Sequence, residues 1–425
     1  MREIHNPILQ ESYYEVVHQT GLTVLVYPKA GYSTTYAIVG TNYGSIDTFL
    51  NKEGERVAIP EGTAHFLEHK LFESEELDAF DRFSETGASA NAYTSFDKTC
   101  YLFSCAGNFE ENLRILLDFV RHPYFTEETV QKEQGIIGQE IRMYLDEPSW
   151  RVLFNLLDCL YENHPVKIDI AGTEASIARI NADLLYDCYH SFYNLNNMVL
   201  AVAGNVTPDQ VLSIVDDVLG TQPEPPCFAK RADFGESNGI VKSYVAKEFP
   251  VTMPTFAMGY KEETGLELPT LKERILTGLL LDYVAGDTSP LFNRLLSEGL
   301  INGTFGYEYF VGPGYRTILF CGDSRDPEAV ADAVKEELHR LKTQGLEKKD
   351  FDILRKMSYG RAVMDYNGID GLANELIAAH FEGYRLFDEL EIYQTVTVED
   401  AMAQLEKQFK DENFALSVIL PKEAD

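Results

Sequence analysis

Residues 326–360 read DPEAVADAVKEELHRLKTQGLEKKDFDILRKMSYG: an amphipathic helix, a break at Thr343-Gln344-Gly345, and a second helix. Residues 108–137, NFEENLRILLDFVRHPYFTEETVQKEQGII, follow the same plan, with the break at His122-Pro123. In both, apolar residues recur at the three-and-four spacing that gives a helix one buried face. Each pair of helices is followed downstream by a similar closing strand, NMVLAVAGNV from Asn197 and NFALSVILPK from Asn413. Glu127 set against Glu347 gives an offset of 220 residues, and Asn197 against Asn413 gives 216. Two independent anchors with nearly one offset predict a duplicated α+β unit.

The rest of the first half supports that class. Leu22–Tyr27, Thr35–Val39, Ala88–Ser95, Thr99–Cys105 and Met198–Ala203 are rich in β-branched and aromatic residues, and several are bounded by Gly or Pro, as strands are. Helices are expected near Pro60–Phe72, where a Pro sits in the first turn, and at residues 76–85, Phe109–Arg121, Glu127–Leu145, Trp150–Tyr161, Ala182–Phe192 and Pro208–Leu219. Residues 221–240 are rich in Pro, Gly and polar side chains and form the best linker in the chain. The expected domains are therefore 1–225 and 226–425.

Composition narrows the partners. Lys and Arg number 36 and Asp and Glu 68, so the net charge of the 425-residue chain is −32. Such a surface repels the phosphate backbone of nucleic acid and anionic membranes, and it suits a basic or unfolded peptide. Six cysteines occur without a CxxC pair. They are expected to be free thiols in a reducing compartment, so the protein is expected to be cytoplasmic. The N-terminal residues lack the apolar core of a signal peptide, and no apolar run approaches the length of a membrane span.

The segment with the most chemistry is Gly62-Thr-Ala-His65-Phe-Leu-Glu68-His69-Lys70. Four residues of helix place His69 about 40° from His65, so both imidazoles can meet one cation. Glu68 borders that cation without being required as a ligand, the position of a general base for a zinc-bound water. The pattern HxxEH is the inverse of the thermolysin-type HExxH. A catalytic zinc site takes three protein ligands, so one more is needed. On the helix Glu127–Leu145, Glu133 and Glu140 lie seven residues apart, on one face but separated by about 10 Å of rise. They cannot both be ligands; one is expected to bind metal and the other to support it.

These residues resemble the insulinase/pitrilysin family of zinc peptidases, the inverzincins, and the wording of AHFLEHKLFE, GASANAYTSF and HPVKIDIAGT is closest to its bacterial YmfH-type members. The resemblance covers the first half and, more weakly, the second. It implies that Zn²⁺ is held by His65, His69 and Glu140, with Glu133 behind the ligands and Glu68 as catalytic base. The 70 residues between His69 and Glu140 are a few fewer than the family's usual spacing. Gly87-Ala-Ser89-Ala90-Asn91-Ala92-Tyr93-Thr94 matches the family's edge strand, so Ser89, Ala90, Asn91, Ala92, Tyr93 and Thr94 are expected to bind substrate by strand addition. The implied architecture is two tandem homologous α+β units, each a sheet with helices packed on one side, forming a bowl-like half of a clamshell chamber. The implied activity is that of a zinc-dependent endopeptidase cutting extended or unfolded peptides in an enclosed chamber. The alternative is a subunit of a processing or regulatory complex with little activity of its own.

The second half has no equivalent metal site. Around Leu279–Arg294 the acids are Asp282 and Asp287, with no His. The resemblance also implies an Arg/Tyr pair seven residues apart, which steadies the substrate carbonyl. In the matching stretch Ser289–Asn302 the Arg position falls on Leu295 or Leu296 and the Tyr position on Asn302. A homodimer, or a heterodimer with a paralogous subunit that lacks zinc ligands, is therefore expected. His164-Pro165 is read as a structural turn, and Gly303–Gly314 lacks the context of a nucleotide-binding loop.

Overall fold

The run Met198–Gly204 is buried at every position, which identifies it as a central strand with both faces covered. In the computed structural model it lies in a seven-stranded sheet ordered Arg2–Asn6, Glu11–Val17, Thr23–Pro28, Met198–Gly204, Thr35–Thr41, Thr99–Cys105, Ser89–Thr94. Thr23–Pro28 and Met198–Gly204 pair in parallel, and the other neighbours are antiparallel. The structure describes residues 1–422 apart from 53–54, 76, 228–230, 264 and 266.

A second sheet of five strands runs Tyr244–Phe249, Phe414–Pro421, Thr255–Lys261, Tyr315–Asp323, Gly306–Gly312. Its first pair is parallel and the rest antiparallel. That is the order and direction of the last five strands of the first sheet, so the duplication read from two offsets is present in the topology. The glycine-containing segment 303–314 supplies an edge strand of this sheet. A separate hairpin, Phe49–Lys52 with Glu55–Ala58, precedes the HxxEH helix. The helices expected near 60–72 and 76–85 span Thr63–Leu71 and Ala79–Thr86; residue 76 lies outside the described residues.

The chain forms two compact units that a single boundary at residue 225 does not describe. One comprises Met1–Ile141, Asp169–Ala232 and Val363–Phe387; the other comprises Arg142–Ile168, Asp233–Ala362 and the chain from Asp388 onward. The exchanged segments contain equivalent helices, Pro148–Leu160 and Ile369–Glu382, each following the long helix of its own half. Pro148–Leu160 packs on strands Thr255–Lys261 and Phe414–Pro421, and Ile369–Glu382 packs on Met198–Gly204 and Thr35–Thr41.

Successive side chains of a strand point to opposite faces, which shows how the borrowed helix fits. On Thr35–Thr41, Ala37 and Val39 pair with Phe103 and Tyr101, whose rings lie against Phe109 and Phe119 of the helix Phe109–Arg121. The other face carries Tyr36, which bonds Asn374, and Gly40, where a Cβ would lie 3.1 Å from Ile377. Leu372, Ala373, Leu376 and Ile377 of the borrowed helix are at most 3% exposed. The layer built by one half is thus completed by a helix from the other.

Candidate metal centre

Gly62 opens the HxxEH helix with φ of +84°, and a Cβ there would collide with the Ala171 carbonyl. Glycine meets both demands, since it alone adopts this backbone cheaply and adds no atom at the contact. Thr63 Oγ1 donates to Pro60 O at 2.6 Å and ties down the first turn. Phe66, Leu67 and Leu71 are fully buried, so the helix is held rigidly in the core. His65 and Glu68 are 9% and 8% exposed, while His69 lies at the more open edge.

The structure brings together four of the residues singled out for metal binding. The His65 and His69 rings lie 4.5 Å apart at 59°. Glu140 Oε1 is 3.7 Å from His65 Nε2, and Glu140 Oε2 is 3.7 Å from His69 Nε2. One donor atom from each of the three residues lies within 4.8 Å of the others. Separations of 3.7 Å are long for hydrogen bonds. They are close to the roughly 3.4 Å edge of a tetrahedron with metal–ligand bonds of about 2.1 Å. Glu133 Oε1 lies 3.0 Å from His69 Nδ1. With a proton on Nδ1 facing Glu133, the Nε2 lone pair of His69 is free to face the Glu140 side. Two imidazole nitrogens and a carboxylate, backed by a second carboxylate, fit Zn²⁺.

The charges around these groups are unequal. Burial pushes His65 down to about 3, helped by the neighbouring His69, so it stays neutral. Burial also lowers His69, but its bond to Glu133 and the charges of Glu68, Glu133 and Glu140 outweigh this and raise it above the ordinary value. Burial raises the Glu68 carboxyl, against the opposing pull of Thr94 and His69. A carboxylate raised by burial accepts a proton more readily than one in water.

The candidate substrate strand, Ser89–Thr94, lies at the edge of the seven-stranded sheet, with Ser89 and Asn91 exposed. Thr94 Oγ1 donates to Glu68 Oε2 at 2.7 Å, so its side chain faces the candidate base. The Tyr93 hydroxyl donates to Asn374 Oδ1 at 3.0 Å. Asn374, from the borrowed helix, carries no local signal in the sequence, because its distinguishing contacts, with Tyr93 and Tyr36, are made 281 and 338 residues away.

The second half holds no cluster of this kind among the described residues. Asp282 accepts from Tyr307 at 2.5 Å and from Ser358 at 3.3 Å. Leu295 is buried, Leu296 is 45% exposed, and Asn302 Oδ1 accepts from Thr304 N and Oγ1 at 2.8 and 2.6 Å. His164 is structural, as its turn predicted: Nδ1 accepts from Val166 N at 3.1 Å and Nε2 donates to Pro313 O at 3.0 Å.

Residues 54–174, which contain the HxxEH helix and both glutamates, match the family profile described as Insulinase (Peptidase family M16). Residues 179–358 match the one described as Peptidase M16 inactive domain. The protein of Bacillus subtilis strain 168 named "Uncharacterized zinc protease YmfH" is 38% identical over 420 residues, covering 97% of this chain and 98% of that protein. A crystal structure of an M16-like protein from Alicyclobacillus acidocaldarius superposes with a TM-score of 0.94 at 33% identity, over 99% of this chain and all of that one. Pitrilysin shares the fold, with a TM-score of 0.77 at 15% identity over all of this chain and 47% of its own. The chain belongs to the insulinase family, peptidase family M16. No helix among the described residues is long and apolar enough to cross a membrane.

Proposed function

We propose that the protein is a zinc-dependent endopeptidase of the cytoplasm that hydrolyses extended or unfolded peptides in an enclosed chamber. The observation that carries this reading is the convergence of His65, His69 and Glu140 beside a buried Glu68 that is held by Thr94. Zn²⁺, when bound, would polarise the peptide carbonyl and acidify the attacking water.

The chain's own residues do the rest. His65 and His69 supply Nε2, Glu140 a carboxylate oxygen, and Glu133 fixes the orientation of His69. Glu68 takes the proton of the attacking water and delivers it to the leaving amine. The exposed backbone of Ser89–Thr94 pairs with an extended peptide, main chain to main chain, so recognition depends on an available backbone more than on side chains. The charge of −32 favours basic segments. All six cysteines are unpaired, which supports a reducing compartment.

Leu295, Leu296 and Asn302, at the positions where the resemblance implies an Arg/Tyr pair, favour a second reading of the same site. In it the chain supplies the metal centre of a dimeric or hetero-oligomeric processing complex. The test is metal analysis together with cleavage of unstructured basic peptides by the zinc-loaded chain and by Glu68→Gln. Full zinc and a loss of at least about 10²-fold in the variant are expected. Near-wild-type turnover by zinc-loaded Glu68→Gln would remove Glu68 as the base.

A further inference from the structure

The turn that follows the candidate substrate strand is fastened to the linker. Arg231 Nε donates to Asp47 Oδ1 at 3.1 Å and Nη2 donates to Oδ2 at 3.4 Å. The same Nη2 donates to the Asp97 carbonyl. Asp47, whose side chain is 5% exposed, also accepts the Gly44 N–H at 2.9 Å. The Ser45 and Ile46 N–H groups donate to the Ser95 and Phe96 carbonyls at 3.1 and 3.0 Å. A Cβ on Gly44 would overlap the Phe96–Asp97 peptide, so the loop and the turn interlock at backbone distance. The guanidinium grips both pieces at once, with the planar fork that a lysine lacks.

From this grip to the base is a short path. Ser95 N donates to Lys98 O at 2.8 Å and closes the turn. Thr94 is the next residue back, and its hydroxyl holds Glu68 at 2.7 Å. We infer that Arg231 is a positioning residue for Glu68, acting through the 95–98 turn and the Thr94 hydroxyl. The linker therefore takes part in setting the active site. A misplacement of about 1 Å in such a constellation is enough to slow a reaction by one to two orders of magnitude.

The kinetic arm of the test rests on the peptidase reading; the exchange arm does not. Arg231→Lys keeps the charge and loses the fork. In the zinc-loaded full chain, hydrogen exchange is expected to quicken at residues 89–99 and to stay at wild-type rates in the helices Phe109–Arg121 and Pro208–Leu219, with zinc content unchanged. In peptide cleavage, kcat is expected to fall about tenfold on a wild-type background and less than about twofold on a Thr94→Val background, because the path is already cut there. Equal losses on both backgrounds, or unaltered exchange at 89–99, would overturn the inference. If the wild-type chain cleaves no peptide under any condition, the peptidase reading fails and exchange alone decides: quickening at 89–99 supports the grip and unchanged rates refute it. Should Arg231→Lys not fold, the pair Asp47→Asn with Arg231→Gln removes both charges of the pair together and is read by the same exchange measurement.

Discussion

Glu133 Oε1 lies 3.0 Å from His69 Nδ1, and Glu140, two turns further along the same helix, faces the Nε2 atoms of both histidines. One helix face thus reaches opposite edges of one imidazole. The two glutamates should separate in their effects. Glu140→Gln is expected to lower zinc occupancy sharply. Glu133→Gln is expected to lower affinity by about 10–100-fold, as loss of a group behind a ligand does, while retaining metal at saturating zinc. Metal content of the two purified variants decides the matter; full, tight zinc in Glu140→Gln would mean that the ligand is another group.

The helix exchange predicts the behaviour of fragments. A chain ending at residue 225 lacks Ile369–Glu382, which covers Met198–Gly204 and Thr35–Thr41. Leu372, Leu376 and Ile377 are at most 3% exposed in the full chain, and the roughly 1.5–3 kcal/mol that burying each contributes is missing from the fragment. The fragment is expected to bind hydrophobic dyes and to lack a cooperative thermal transition by near-ultraviolet circular dichroism. A cooperative transition near that of the full chain would show that the borrowed helix is dispensable.

The parts legible in the sequence were those whose evidence is local. HxxEH declares itself because five consecutive positions fix both the helix and the face. Glu133 and Glu140 follow from one helical period, although choosing between them needed the resemblance. The duplication showed in two offsets. What stayed hidden was partnership. The apolar pattern of Pro148–Leu160 says that a face is buried, but not that the sheet of the other half buries it. Arg231 sits in a stretch whose composition reads as solvated linker, and its partners lie 184 and 134 residues away. Thr94 reads as part of a substrate-binding edge strand, and nothing local in the sequence pairs its hydroxyl with Glu68.

A second buried ion pair predicts a pH dependence of stability. Lys261 Nζ donates to Glu236 Oε1 at 2.6 Å, and the Glu236 carboxylate accepts the N–H groups of Glu162, Asn163 and His164 at 3.0, 2.7 and 2.8 Å. Burial raises this carboxyl, but Lys261 and the three N–H groups outweigh it and hold it below its ordinary value of 4.5. A carboxyl lowered on folding contributes stability that is complete above the unfolded value and is lost as pH falls through the folded one. Glu236→Gln is therefore expected to destabilise by about 1.5–3 kcal/mol near neutrality, the range for hydrogen bonds to a charged group. The gap to wild type should narrow below about pH 4.5. Thermal unfolding of both proteins from pH 7 to 3 measures it; a gap that stays constant to pH 3 would refute the assignment.

The last prediction concerns completeness. The resemblance implies an Arg and a Tyr that steady the substrate carbonyl, and the stretch Ser289–Asn302 has neither at the implied positions. Leu295 is buried, Leu296 is an exposed apolar side chain, and Asn302 is engaged by Thr304. The nearest substitutes do not fit. Arg294 and Tyr307 are thirteen residues apart, and the Tyr307 hydroxyl is committed to Asp282. Removing one such electrostatic group costs roughly 10²–10³ in rate. The zinc-loaded chain, alone or as a homodimer, is therefore expected to bind metal fully and cleave peptides slowly. Addition of a paralogous insulinase-family subunit that has the Arg/Tyr pair but lacks HxxEH is expected to raise kcat by about 10²-fold or more. Single-turnover assays on the chain alone, the partner alone and the mixture separate these cases. High activity from the homogeneous chain, abolished by Glu68→Gln, would show that carbonyl stabilisation comes from residues other than those at 289–302.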